Sequence, residues 1–331
     1  MFKKSHQIQE VETVISADSI IYKLNNGELY NIDKKPIKVS KGVFSYSAKN
    51  SDIFFQKENL SSLTRVSLLD FHAVNVDGEF ALRGAFFIDS QHIYILGKSE
   101  GKKVVYLLDV NNLKVQSKVE YSCFPFMSTA KGCVCKIKSG LQYVDALLQR
   151  LCWTYSLPEG EKISGDIYLH ENVLVIPSMV GQMPYNKNYL QGVDVNTGKE
   201  VWKDEGYFLH LQQDSQTGLL YGFAGEKYQV IDPITGNKLV DKEFTGLKEE
   251  KRMQVYQGMS RLYGDGLYFI SDYVENHYDC QFGKINTESH EIEFIQKLDV
   301  AEGVKANPPI YHRGKIYIKD NLGTLHIYKQ E

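Results

Sequence analysis

Eight times along this chain an aliphatic residue runs into a turn position at a nearly constant interval. The pairs are Ile32-Asp33, Leu69-Asp70, Leu108-Asp109, Val144-Asp145, Val193-Asp194, Ile231-Asp232, Ile285-Asn286 and Ile327-Tyr328. The steps between them are 37, 39, 36, 49, 38, 54 and 42 residues, a mean of about 42. A chain repeating at this interval folds as a series of small units that bury apolar surface against their neighbours.

Two strands can be read in each unit. The first is an apolar run, at 19–24, 52–57, 92–98, 132–138, 172–178, 218–224, 266–272 and 315–321. The second ends at the repeated turn, as in Leu29-Tyr30-Asn31-Ile32-Asp33. The runs are rich in Ile, Val, Tyr and Phe and bounded by Asn, Asp and Gly, which is the strand signature. Their apolar character on both faces fits a sheet held between two others. Short strands at a period of about 40–45 residues mark a propeller blade. The sequence therefore predicts an all-β fold, a single β-propeller domain over residues 1–331 with four-stranded antiparallel blades. Eight anchors give eight blades, with seven as the alternative if the first and last units share one. The last unit has strands near 309–312, 315–321 and 324–329 and then stops. An amino-terminal strand at 5–11 is expected to supply its missing outer strand and close the ring.

The turns have their own chemistry. In Asp194-Val-Asn-Thr-Gly198 and Asp232-Pro-Ile-Thr-Gly236 the carboxylate can accept backbone N–H bonds while the glycine takes a left-handed conformation. Asp109-Val-Asn-Asn112 is a weaker copy. Residues 193–202, and less closely 230–240 and 29–33, resemble the quinoprotein-like β-propeller repeat, whose units read Leu-Tyr-Ala-Leu-Asp-x-x-Thr-Gly-Lys-x-x-Trp. The resemblance implies that Trp202 and Trp153 dock between blades as structural residues. It also raises a quinone cofactor, because dehydrogenases of this type are exported and carry a calcium site, a catalytic Asp and often adjacent cysteines. The nearest approach here is Cys133-Val-Cys135, whose thiols point to one side of a strand and suit a buried core, so no cofactor is expected.

Net charge is −3 with both signs interspersed, leaving no basic face for nucleic acid. Five cysteines, an odd number without framework spacing, argue for free thiols in a reducing compartment. The amino terminus has no apolar core of a signal peptide, and no segment reaches the roughly 18–20 apolar residues of a membrane helix. A cytoplasmic, monomeric, bacterial protein is the expectation. The nine histidines show no metal-ligand spacing, and His277-Tyr-Asp279-Cys280 reads as a solvated loop rather than a metal site. No Walker loop, nucleophile elbow or dinucleotide fingerprint gives a positive sign of an enzyme.

The two longest steps are the functional clue. Insertions at 179–188 and 273–280 both fall between the second and third strands of their units. In an up-and-down blade that connection emerges on the same face as the links between blades, here 157–163, 246–255 and 298–307. Loop extensions cost little stability and are where scaffolds carry recognition. The insertions hold Met179, Met183, Tyr185, Tyr189, Tyr273, His277 and Tyr278, with Arg252 and Met253 in a neighbouring link. These residue types favour interface cores. The sequence reading is a non-catalytic propeller that binds another protein through this face, as a scaffold or a neutralising protein such as a toxin immunity factor. The alternative is a small-molecule or carbohydrate-binding propeller, and possible enzyme, with its site at the mouth of the central channel.

Overall fold

The computed structural model describes residues 2–16, 20–26, 28–33, 36–37, 43–49, 52–57, 62–67, 73–77, 80–87, 91–120, 125–129, 131–145, 150–181, 187–206, 208–271 and 280–330. The chain divides into two compact units, Glu12–Ser156 on the one hand and Met1–Val11 with Leu157–Glu331 on the other. The strand β1 (Phe2–Ile8) opens the chain.

Four sheets follow in chain order through the first stretch. The first is β2 (Val11–Ser16), β3 (Ile20–Leu24), β4 (Leu29–Asn31) and β5 (Pro36–Ile37). The second is β6 (Val43–Lys49), β7 (Asp52–Lys57), β8 (Ser62–Ser67) and β9 (Ala73–Asp77). The third is β10 (Phe80–Phe87), β11 (His92–Ser99), β12 (Lys102–Asp109) and β13 (Val115–Glu120). The fourth is β14 (Pro125–Ser128), β15 (Gly132–Ile137), β16 (Gly140–Asp145) and β17 (Leu151–Ser156).

Four more sheets lie in the other unit. The fifth has β18 (Glu161–Ile163) and β19 (Tyr168–His170) both pairing with β20 (Val173–Val180), then β21 (Lys187–Asp194) and β22 (Glu200–Glu205). The sixth is β23 (Gln212–Gln213), β24 (Leu220–Ala224), β25 (Lys227–Ile231) and β26 (Lys238–Glu243). The seventh is β27 (Ser260–Tyr263), β28 (Gly266–Ile270), β29 (Gln281–Asn286) and β30 (Ile292–Lys297). The eighth is β31 (Ile310–His312), β32 (Lys315–Lys319) and β33 (Leu325–Gln330), with β1 as its outermost strand.

The eight apolar runs read from sequence are the second strands of these sheets, and the reason is burial. In β28 every residue is buried, and in β15 the first four are. The outermost strands alternate or are mostly exposed, as in β13 and β26. Apolar clusters sit between consecutive sheets. Tyr168, Val175 and Leu190 of the fifth meet Leu220 and Ile231 of the sixth. Tyr221, Phe223 and Tyr228 meet Leu267, Phe269 and Ile285 of the seventh. Ile270 and Phe282 meet Ile316, Ile318, Tyr328 and Phe2 of the eighth.

The anchors recur at one structural position, the end of the third strand. The backbone N–H groups of Asp109, Asp145, Asp194, Asp232 and Asn286 donate to the carbonyls of Lys114, Arg150, Lys199, Asn237 and Glu291 at 2.9–3.0 Å. Each closes a bulged turn into the outermost strand, and the register shifts there each time. The residue four after the anchor has positive φ, whether Gly198 and Gly236 (70° and 76°) or Leu113 and His290 (56° and 57°). Tyr328 is a correction: it lies within β33, 2% exposed, and no outer-strand turn follows it. Its strand is paired by the amino terminus instead. Asp70 falls outside the described residues. Asp214 to Gly218 repeats the same turn between β23 and β24, a copy the periodic reading missed because it joins a different pair of strands.

The amino-terminal strand does pair with β33, from Phe2↔Gln330 to Ile8↔Leu325, three residues earlier than the sequence suggested.

Candidate functional site

The loop-bearing end is best defined in the unit containing Leu157–Glu331. There β20 and β21 form a long hairpin, paired from Val173↔Asp194 to Val180↔Lys187. This extends the first insertion outward as ordered sheet before the turn begins. Met179 and Tyr189 lie on these strands, opposite Asn188 and Ser178 respectively, and both are half-buried. The Lys203 ammonium sits 4.7 Å from the centre of the Tyr189 ring.

A polar network runs through four strands of the fifth sheet, β18, β20, β21 and β22. One oxygen of Glu161 accepts from Ser178 Oγ and, at 3.0 Å, from Gln191 Nε2. Gln191 Nε2 also donates to Ser178 Oγ at 2.9 Å. The other oxygen of Glu161 takes Lys203 Nζ at 2.6 Å, and the Glu161 side chain is only 4% exposed. A carboxylate this deep is tolerable because three donors surround it. Sequence reading missed this group. Residues 161, 178, 191 and 203 share no spacing, and only the strand register unites them.

The second insertion leaves β28 and returns at Cys280, which is buried. Its base is fixed by Gln281 N donating to Ser271 Oγ at 2.8 Å and by Gln281 Nε2 donating to the Lys251 carbonyl at 2.6 Å. That second bond ties the insertion to the link between the sixth and seventh sheets. Arg252 in this link is exposed and holds a left-handed backbone, φ 51°. Met253 is fully buried in the cluster of Phe223, Tyr228 and Phe269. It is a core side chain and offers no contact area in this conformation. Met183, Tyr185, Tyr273, His277 and Tyr278 lie outside the described residues. Two large apolar side chains absent from the sequence reading are exposed at this same end, Tyr256 at 42% and Leu322 at 69%. Leu322 sits in the turn from β32 to β33, again a connection of second to third strand.

Among the described residues no group of three or more His, Cys, Asp or Glu side chains is placed to hold a metal ion. Cys133 and Cys135 are buried against Tyr94 and Val105 of the preceding sheet, as the strand alternation predicted. Trp202 is structural, its Nε1 donating to the Pro233 carbonyl at 3.2 Å. Trp153 stacks on Tyr143 at 5.4 Å between ring centres. No helix is long and apolar enough to cross a membrane among the described residues.

No family model matches the sequence, and no curated protein matches it. Solved structures do. The chain is similar to BamB from Moraxella catarrhalis over 100% of both chains, with 14% identity and a TM-score of 0.59. It is similar to the Dos1 propeller over 99% of this chain and 95% of that one, with 8% identity and a TM-score of 0.61. A europium-containing methanol dehydrogenase matches over 99% and 93%, with 7% identity and a TM-score of 0.55. These likenesses show the fold, a β-propeller.

Proposed function

We propose that this β-propeller is a non-catalytic binding protein whose partner is another protein, held at the loop-bearing end of the Leu157–Glu331 unit. One observation carries the reading: the connections after β20, β28 and β32 are all second-to-third-strand connections, and they bring the two insertions and exposed Leu322 to the same end of their sheets. Met179, Tyr189 and Arg252 are the described residues proposed to touch the partner, with Met183, Tyr185, Tyr273, His277 and Tyr278 of the insertions. Tyr256 and Leu322 add apolar area of the sort that marks interaction surfaces. A partner-neutralising role, a cytoplasmic and bacterial setting and a monomeric state belong to the same proposal. So does the finer architecture, in which each sheet is one blade of an eight-bladed ring and β1 completes the last.

The test is affinity capture from the native cell with mass spectrometry, using the whole chain and a variant in which 181–186 is replaced by Asn-Gly. A two-residue Asn-Gly turn suits the Val180↔Lys187 pair and should leave the sheet intact. The reading expects one protein recovered by the parent and lost by the variant at unchanged thermal stability. Equal recovery by both, or recovery of nothing by the parent, overturns it.

A further inference from the structure

A second set of side chains comes from β19, from the link that precedes β23, and from β27 with the link before it. Arg261 lies on β27 and is half-buried. Its Nη1 donates to the carbonyls of Gly258 at 3.1 Å and Ser260 at 2.7 Å, which holds the guanidinium plane in place. Neither Nε nor Nη2 has a hydrogen-bond partner or carboxylate among the described residues, and neither is a sealed-off atom. The guanidinium is thus clamped along one side with its Nε–Nη2 edge open. That edge presents two parallel N–H groups at the spacing of a carboxylate's two oxygens.

The surroundings suit an anion of low charge. The positive field of Arg261 reaches Tyr168 on β19 and Tyr263 on its own strand, opposing the rise that burial imposes on both hydroxyls. Tyr168 is itself fixed, donating to the Leu211 carbonyl at 2.9 Å and accepting from Leu211 N–H at 3.0 Å. The exposed ring of His210 lies against Gly258, whose carbonyl anchors Arg261. Asp166, an exposed carboxylate, also acts on Tyr168 and disfavours a dianion such as phosphate more than a single carboxylate.

We propose that the open edge of Arg261, held by its bonds to Gly258 and Ser260, is a binding site for the carboxylate group of a small ligand. The site stands apart from the protein-binding reading, since none of its residues belongs to the insertions and its ligand needs no protein partner.

The test follows the side-chain Nε–Hε resonance of Arg261 in the full chain, assigned by its loss in Arg261→Lys. Sodium acetate is titrated against sodium chloride and inorganic phosphate at matched ionic strength. The proposal expects a saturable acetate shift in the parent, weaker binding of phosphate, and acetate affinity lower by about tenfold in Arg261→Lys, read from the flanking backbone amides. Asp166→Asn is predicted to tighten phosphate more than acetate. A shift that grows linearly and equally with acetate and chloride overturns the site, as does unchanged acetate affinity in Arg261→Lys. Preference for phosphate in the parent overturns the carboxylate assignment.

Discussion

The indole of Trp202 donates a 3.2 Å hydrogen bond to the carbonyl of Pro233, and so pins the outermost strand of the fifth sheet to a turn of the sixth. The same ring covers Gly192 on its own sheet and Gly236 in that turn, where an added Cβ would lie 2.2 Å and 2.6 Å from indole atoms. One side chain thus closes the contact between two sheets, with the apolar cluster of Leu220, Ile231 and Ile234 beneath it.

Trp202→Ala is predicted to destabilise the protein by about 2–3 kcal/mol, less than the roughly 3–5 kcal/mol of a fully buried aromatic because the ring is only half-buried. Trp202→Phe should cost about 1 kcal/mol for the lost bond plus a little packing. Urea denaturation measures both. Equal effects of the two would mean that the ring's area contributes nothing.

Gly236→Ala isolates the turn. At φ 76° any side chain is strained, by about 1–2 kcal/mol, and here the new methyl also meets Trp202. Gly101→Ala is the control, with φ 77° and open space around its Cβ position. Gly236→Ala should be worse by about 1–3 kcal/mol, the cost of overpacking. Indistinguishable midpoints would show that the indole yields freely.

The repeat was legible because each anchor performs one local task that composition records. Asp194, Asp232 and Asn286 all accept backbone N–H bonds from the residue two ahead, at 3.1, 2.8 and 2.8 Å. Burial on both faces made the second strands legible for the same reason. The first strands of the fifth and sixth sheets were not, since β23 has two residues and β18 and β19 three each, too few for periodicity to register. Met253 looked like a loop residue because sequence distance places it in a link, yet its backbone N–H donates to the Leu247 carbonyl at 2.9 Å and turns it inward. Glu161 and Arg261 became visible only through register and through which partners each side chain already has.

Removing either end of the Glu161–Lys203 pair should have unequal effects. Glu161→Ala strands Lys203, Gln191 and Ser178 together, and is predicted to cost about 3 kcal/mol. Lys203→Met leaves the buried Glu161 carboxylate with only the neutral donors Ser178 and Gln191 and should cost more, about 3–5 kcal/mol. A double-mutant cycle in urea should show coupling, and strict additivity would mean the network is not a unit.

Tyr168 sets an alkaline limit. Burial raises its hydroxyl from the ordinary 10.0 to about 12 in the folded protein, opposed by its bond to Leu211 and by Arg261 and reinforced by Asp166. A raised acid stays protonated in the folded state after the unfolded chain has lost its proton. Its stabilising effect is complete below pH 10.0 and is lost progressively between 10.0 and about 12. Stability should fall over that window, and Tyr168→Phe should flatten the fall by about 1.4 kcal/mol per pH unit. Part of the remaining slope comes from Tyr94, Tyr228 and Tyr268, which burial also raises. An unchanged slope in Tyr168→Phe would show that its hydroxyl ionises freely.

Truncating residues 1–8 should convert the eighth sheet into an aggregation site. β1 covers the whole edge of β33, and Phe2 fills the cluster beside Phe294 with ring centres 5.2 Å apart. Gln296 receives the Phe2 N–H at 3.3 Å and donates to its carbonyl at 2.7 Å, and Val11 N–H reaches the Gly323 carbonyl at 2.7 Å. Without the strand, Leu325–Gln330 presents a row of unpaired N–H and C=O groups beside exposed apolar surface, which templates association with other chains. Light scattering should therefore report large species in the truncated protein, and a synthetic peptide of residues 1–11 added in excess should disperse them. Because the peptide restores both the ladder and the Phe2 contact, a variant peptide with Phe2→Ala separates the two contributions. It should still pair, and it should require a higher concentration to the same end. A truncated protein that stays monodisperse without peptide would mean that the edge of β33 is covered by something other than the amino terminus.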